Sequence, residues 1–269
     1  MILALFFIAG LAFGSFLNVA AYRLPNAENA GENAFLALCM PGSFCPHCKT
    51  PLSARHLVPL FSFLFLRGKS ACCQKRIGWR YPVVEVIGGL IVVAAAVRFG
   101  TGWENIQATI LASAFAGGLL AASVADMARY ILPDVITLPL LWLGLLANID
   151  GRFVPLDDAV WGAAGGYVAM LMLAEGAAFC MRRPALGGGD KKLFAAAGAW
   201  IGWQDLPFVL FGGAFFGLIL FVLRQLIRGK ALNAGRGYVP FGPCIALAAA
   251  MMLFYGDAIS GAYWRFIGG

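Results

Sequence analysis

Two aspartates stand where ionisable residues are rare. Asp190 follows Gly187-Gly188-Gly189 and precedes Lys191-Lys192-Leu193, at the mouth of an apolar stretch from Leu193 to Trp203. Asp126 lies upstream, in a segment that continues through Arg129 and Leu132-Pro133 to Asp134. A charged group near bilayer depth costs about 2.5–3.5 kcal/mol on insertion scales, so such groups tend to be kept for function. Two carboxyls in one site can carry out aspartic proteolysis. One stays ionised and takes a proton from water; the other stays protonated and polarises the scissile carbonyl. Crowding in a low dielectric separates their protonation steps. The plainer alternative is capping: Asp190 as a helix N-cap ahead of Lys191, and Asp134 as a cap after Pro133. The three glycines predict a tight turn whose open backbone accepts an extended peptide.

These carboxylates need elements to hold them, and the composition says which. Of 269 residues, 61% are hydrophobic and 12% charged, against about 25% charged in soluble domains. The mean hydropathy is +0.81. The expected fold class is an all-α polytopic membrane protein of about eight transmembrane helices. The candidate spans are Ile2–Tyr22, Pro82–Phe99, Ile106–Val124, Ile131–Ile149, Ala159–Met181, Leu193–Trp203, Leu206–Ile227 and Pro240–Tyr263. The sixth is short for the ~20 residues a crossing needs, so it starts earlier, across the glycines, or is shielded by neighbours. The N-terminus has neither a basic n-region nor a small-residue cleavage site, and reads as a retained helix. The expected organisation is a first helix (1–24), a cytoplasmic Cys-containing basic loop (25–81) and a seven-helix membrane core (82–269).

The basic residues orient these spans. Only Arg98, Arg152 and Arg265, among 20 Lys and Arg, fall in the loops of one side; the other 17 fall on the opposite side. By the positive-inside rule the basic loops face the cytoplasm and both termini lie outside. Asp126 and Asp190 then share the cytoplasmic side. The net charge of +7 is accounted for by topology and attraction to anionic membrane lipids, not by nucleic acid.

The first loop carries a second chemistry. Cys45-Pro46-His47-Cys48 is a Cys-x-x-Cys pair, which with partners downstream reads as a tetrahedral zinc site. In the cytoplasm such thiols stay reduced. Cys72 and Cys73 are the candidate partners downstream, with His47 and His56 as alternatives. Adjacent cysteines on an extended backbone diverge, so Cys72 is an uncomfortable ligand. A metal-free loop held by Leu60, Phe61, Phe63 and Phe65 is the competing reading. The Leu57–Leu66 run is too short to span and forms either the loop's core or an interfacial segment.

Five motifs in order resemble one family. These are Gly14-Ser15-Phe16-Leu17-Asn18 through Arg23-Leu24-Pro25, Arg80-Tyr81-Pro82-Val83-Val84-Glu85, Asp126 with Leu132-Pro133-Asp134, Gly187 through Leu193, and Pro240-Phe241-Gly242-Pro243. The chain is similar to the type IV prepilin peptidases, bifunctional leader peptidases and N-methyltransferases of the Gly-x-Gly-Asp aspartic protease class. The resemblance implies that Asp126 and Asp190 are catalytic, and that Gly187, Gly189, Lys192 and Glu85 support substrate or loop. It implies cleavage of prepilins or pseudopilins with class III signal peptides at the cytoplasmic face of the bacterial inner membrane. N-methylation from S-adenosylmethionine would follow. The family's third cysteine position is Ser70 here, which puts the zinc site in question and leaves a peptidase that no longer methylates as the alternative. No Gly-x-Gly-x-x-Gly follows a strand, so methylation would need an unconventional site using the cytoplasmic loop. A small transporter with the aspartates as ion sites is the rival from another class. It calls for repeats and broken mid-membrane helices, and no repeat is visible.

Overall fold

The structure is a computed structural model that describes residues 1–40, 42–45, 47–182, 186–228 and 240–268. Among the described residues it is helical, with only two isolated β-bridges. Arg183, Lys230 and Arg236, counted above among the basic loop residues, lie outside the described residues. Among the described residues, six helices are long and apolar enough to cross a membrane. The expected fourth and sixth spans are instead helices of 14 residues each, about 21 Å long and short of a ~30 Å hydrocarbon core. The chain forms two compact units, Met1–Ala121 and Ala122–Gly269.

In the first unit, α1 (Ile2–Ala30) packs along α4 (Arg80–Phe99). Helix α1 runs past the expected end at Tyr22, through Pro25, to Gly31 in a left-handed cap. There Glu32 N–H reaches the Ala27 carbonyl at 2.8 Å, the 6→1 bond of a Schellman ending. Between these helices lie the short α2 (Ala34–Cys39) and α3 (Phe61–Phe65). Arg23 donates to the Ala37 and Leu38 carbonyls at 3.2 Å each, a cation at the C-terminus of α2 that ties the loop back to α1. The expected loop core is only partly formed. Phe63 stacks on Trp79 at 5.1 Å, but Phe61, Leu64 and Phe65 are exposed. Helix α5 (Ile106–Arg129) begins in this unit and ends in the second.

The second unit is built around α8 (Gly188–Ile201). Helices α6 (Asp134–Ala147), α7 (Leu156–Met181) and α10 (Gly242–Gly268) pack against it, and α9 (Leu206–Arg228) packs on α10. Every residue from Leu193 to Ile201 is buried. Gly162 of α7 and Gly198 of α8 meet backbone to backbone, and a Cβ on either would overlap the other's carbonyl. Trp200 donates its indole N–H to the Leu140 carbonyl at 2.8 Å. Buried Asn148 donates to the Ala199 carbonyl at 3.0 Å and accepts from Phe153 N–H. Both expectations for the sixth span therefore hold: the helix begins in the glycines, and its neighbours cover it.

Candidate active site

Asp126 sits three residues before the end of α5, and Asp190 in the first turn of α8. Both are buried, at 6% and 8% exposure. Each carboxylate is tethered at one oxygen by a backbone N–H. Gly242 N–H donates to Asp126 Oδ2 at 3.0 Å, and Gly187 N–H donates to Asp190 Oδ2 at 3.0 Å. The second bond is the carboxylate half of a capping box, with Gly187 as N-cap and Asp190 at N3. Asp190 thus caps its own helix while lying within the electrostatic reach of Asp126. The structure brings together the two residues singled out from sequence.

One side chain outside that set builds the site. Leu132 lies against both glycines that flank the pair. A Cβ on Gly189 would fall 2.5 Å from the Leu132 Cβ, and a Cβ on Gly242 would fall 3.1 Å from its methyls and 2.7 Å from Asp126 Oδ2. Absent side chains at 189 and 242 let Leu132 wedge the starts of α8 and α10 beside the end of α5. The glycines therefore serve differently from expectation. Gly187 is extended, Gly188 and Gly189 are already helical, and none of the three takes a left-handed turn. Gly187 supplies the N–H that holds Asp190, and Gly189 makes room for Leu132.

Lys192 pairs with Asp134, joining the starts of α8 and α6. Pro133, not Asp134, is the N-cap of α6; Asp134 follows it, in the first turn, where a carboxylate favours the helix dipole. Lys191 reaches Glu175 on α7 at 3.7 Å. Glu85 belongs to the first unit. Its carboxylate accepts from Leu60 N–H at 2.7 Å and from the Ser15 hydroxyl, so it ties the α3 turn to α1 and α4.

The cysteines of the first unit also come together. The sulfurs of Cys45, Cys48, Cys72 and Cys73 all lie within 4.8 Å of one another. They sit on two turns with one backbone pattern. Cys45 N–H bonds to Thr50 O and Lys49 N–H to Cys45 O; Ser70 N–H bonds to Lys75 O and Gln74 N–H to Ser70 O. Lys49 and Gln74 both take positive φ, 60° and 56°. Ser70 therefore matches Cys45, and Cys73 matches Cys48. The second turn is tight, not extended, so Cys72 and Cys73 both reach the cluster, contrary to the divergence expected of neighbours. Ser70 Oγ stands 3.4 Å from Cys45 Sγ and 3.1 Å from Cys72 Sγ. His47 and His56 are not in the cluster, and His56 Nδ1 bonds to Ser53 at 3.0 Å.

This set fits a tetrahedral thiolate-binding ion. Ligands at about 2.3 Å from a metal stand about 3.8 Å apart. Cys45 and Cys73 are 3.8 Å apart, and Cys48 and Cys72 are 3.2 Å apart. The Ser70 hydroxyl and the Cys48 N–H hold the Cys45 thiol down, at about 5. Cys72 is pushed up to about 11: its Ser70 hydrogen bond lowers it, and the neighbouring Cys48 and Cys45 thiols outweigh that. Thiols so close ionise together only around a cation.

The chain is similar to known proteins along nearly its whole length. Residues 8–99 match the bacterial Peptidase A24 N-terminal domain, and residues 113–222 match the type IV leader peptidase family. A protein of Aeromonas hydrophila named prepilin leader peptidase/N-methyltransferase is 39% identical over 97% of this chain and 93% of its own. Proteins of the same name from Pseudomonas aeruginosa and Neisseria gonorrhoeae are 38% and 34% identical, over 97% and 96% of this chain and 93% and 91% of their own. No solved structure matches. With relatives this similar along nearly its whole length, and with both family models matched in order, the chain belongs to the type IV leader peptidase family.

Proposed function

We propose that this chain is a membrane-embedded aspartic endopeptidase that removes the leader peptide of type IV prepilins or pseudopilins and then methylates the new N-terminus from S-adenosylmethionine. The observation that carries the reading is the buried Asp126–Asp190 pair, each carboxylate anchored by a backbone N–H and held by the Leu132 wedge. Tethering one oxygen of each carboxyl leaves the other for reaction. The ionised member takes a proton from water as the water oxygen attacks the scissile carbonyl carbon. The protonated member donates to the carbonyl oxygen, and the departing amine receives a proton as the tetrahedral centre collapses. Burial keeps this exchange away from bulk water, where each hydrogen bond would be weaker. Lys192 and Asp134 fix the mouth of α8.

The chain's locale follows from the same reading: the bacterial inner membrane, both termini outside, the aspartates facing the cytoplasm, where class III signal peptides present their cleavage site. The 17-to-3 division of basic residues supports that orientation. Cys45, Cys48, Cys72 and Cys73 would hold Zn²⁺, which when bound cross-links the two turns of the first loop. Four gathered thiols also favour the bifunctional reading over a peptidase with a decayed loop, because Cys72 makes up for Ser70. The test is direct. Purified protein is given a prepilin and S-adenosylmethionine, and the product N-terminus is weighed by mass spectrometry. A shortened, methylated product is expected. An uncleaved substrate contradicts the peptidase, and a cleaved, unmethylated one contradicts the methyltransferase.

A further inference from the structure

Helix α3 and the turn before it have two faces. Ser62, Phe63 and Leu66 turn inward and line a cavity of the first unit. Val58, Phe61, Leu64 and Phe65, spaced at helical intervals, lie on the other face. All four are exposed, Phe65 at 93%. Contiguous apolar side chains left bare mark a surface that something else covers. The depth of α3 says what. Helix α4 has 20 residues, about 30 Å in length, no more than a bilayer's hydrocarbon core needs. It therefore has to start at the membrane surface, where exposed Trp79 and Tyr81 make interfacial aromatics. Glu85 lies about 8 Å inside that start. Helix α1 agrees, since Glu85 packs backbone to backbone on Gly14, near the middle of its 29 residues. The Glu85 carboxylate accepts from Leu60 N–H at 2.7 Å, and Leu60 immediately precedes α3. The segment is thus held at the level of the first turns of α4, not out in the solvent.

Backbone and charge suit that place. Leu60 takes φ 59° and ψ −47°, and Phe61 N–H closes on the Pro59 carbonyl at 2.6 Å, a γ-turn of the rarer hand. The N–H groups of Ser62, Leu64 and Leu66 reach the Val58, Leu60 and Ser62 carbonyls. Backbone groups bonded within the segment are what a place poor in water requires. The sequence has no acidic residue between Glu32 and Glu85, and exposed Arg55, Arg67 and Lys69 flank the apolar face. A second copy docked face to face would set these cations against themselves, whereas a layer of anionic headgroups neutralises them. We propose that α3 is a membrane-interface anchor. Val58, Phe61, Leu64 and Phe65 enter the headgroup–acyl boundary of the leaflet beside the start of α4, and Arg55, Arg67 and Lys69 bind anionic headgroups. Glu85 is the positioning residue that holds the segment at this depth. The inference rests on α1 and α4 crossing the membrane and on neither reaction of the proposed function. Because Ser70 follows so soon after α3, the anchor also keeps the cysteine turns beside the membrane.

The test is photocrosslinking from position 65. The full-length protein with Phe65→p-benzoylphenylalanine is placed in vesicles of phosphatidylethanolamine and phosphatidylglycerol and illuminated, with and without a prepilin, and its adducts are identified by mass spectrometry. Leu90, exposed on α4, carries the same substitution as a lipid-facing reference. Phospholipid adducts are expected at 65 as at 90. Adducts at 65 to the prepilin or to a second copy in place of lipid, or none while 90 is labelled, overturn the proposal. Arg67→Glu combined with Lys69→Glu should lower the lipid adduct at 65 by about fivefold or more and leave that at 90 unchanged. An unchanged adduct at 65 in that variant refutes the headgroup contacts. Glu85→Ala, which releases Leu60, should lower the adduct at 65 as well, and Glu85→Gln, which keeps an acceptor, should restore it. Equal adduct in the natural protein and Glu85→Ala, or no recovery in Glu85→Gln, refutes the positioning role.

Discussion

The aspartate pair and the cysteine cluster solve the same problem by opposite means. Both gather side chains that repel one another when ionised. The aspartates are held by packed apolar helices: Leu193 to Ile201, which follow Asp190 on α8, are all buried, and each carboxylate is fixed by one backbone N–H. The cysteines are held by two short turns whose backbone bonds are local, and three of the four thiols are not buried. A helix core keeps its geometry without a ligand. A turn with little packing depends on whatever binds its side chains. The carboxylate site is therefore expected to be robust to chelation and fragile to packing, and the thiol site the reverse.

The largest effect expected is at the carboxylates. Asp126→Asn or Asp190→Asn should each lower leader cleavage on the order of 10³-fold, measured on a purified prepilin, while metal content stays at the natural level. Packing comes next. Gly242→Val places carbon against Asp126 Oδ2 and Leu132, so cleavage should drop about 10²-fold, by misplacement alone. Retention of full activity would mean that the close approach of α10 is not needed. The thiol site should answer differently. Cys72→Ala should lose most of the bound zinc by elemental assay and change cleavage less than about tenfold, whereas Ser70→Ala should keep its zinc. Loss of metal in both variants would make Ser70 a ligand and refute the four-cysteine set. The smallest effect belongs to Lys192→Ala. Its pair with Asp134 is part exposed, so thermal unfolding should register only about 0.5 kcal/mol of destabilisation.

How much of this could be read from residues alone varies with how each residue works. Asp126 and Asp190 are legible because a carboxylate in apolar sequence has few structural uses. The helical membrane class is legible from composition. Leu132 is not, because a leucine before a proline carries no mark of the two glycines it will touch, which come from α8 and α10. The number of spans is half legible. The shortness of the sixth is visible in its sequence, but its tolerance depends on α6, α7 and α10 covering it. The fourth is misjudged for another reason: Ile131, Leu132 and Pro133 are apolar yet sit before the helix, with Tyr130 in left-handed backbone. Cys72 misleads because the spacing argument assumes an extended chain, whereas the turn ending at Gln74 brings consecutive sulfurs to one point.

The central claim is that Asp126 and Asp190 form one working unit. The most direct measurement is single-turnover cleavage of a prepilin by Asp126→Asn, Asp190→Asn and the double variant, each shown to fold by unchanged thermal unfolding. Residues that act as a unit are not additive. All three variants should fall to the same residual rate. A double variant slower than the singles by the product of their effects, or a single variant that cleaves at the natural rate, would contradict the account.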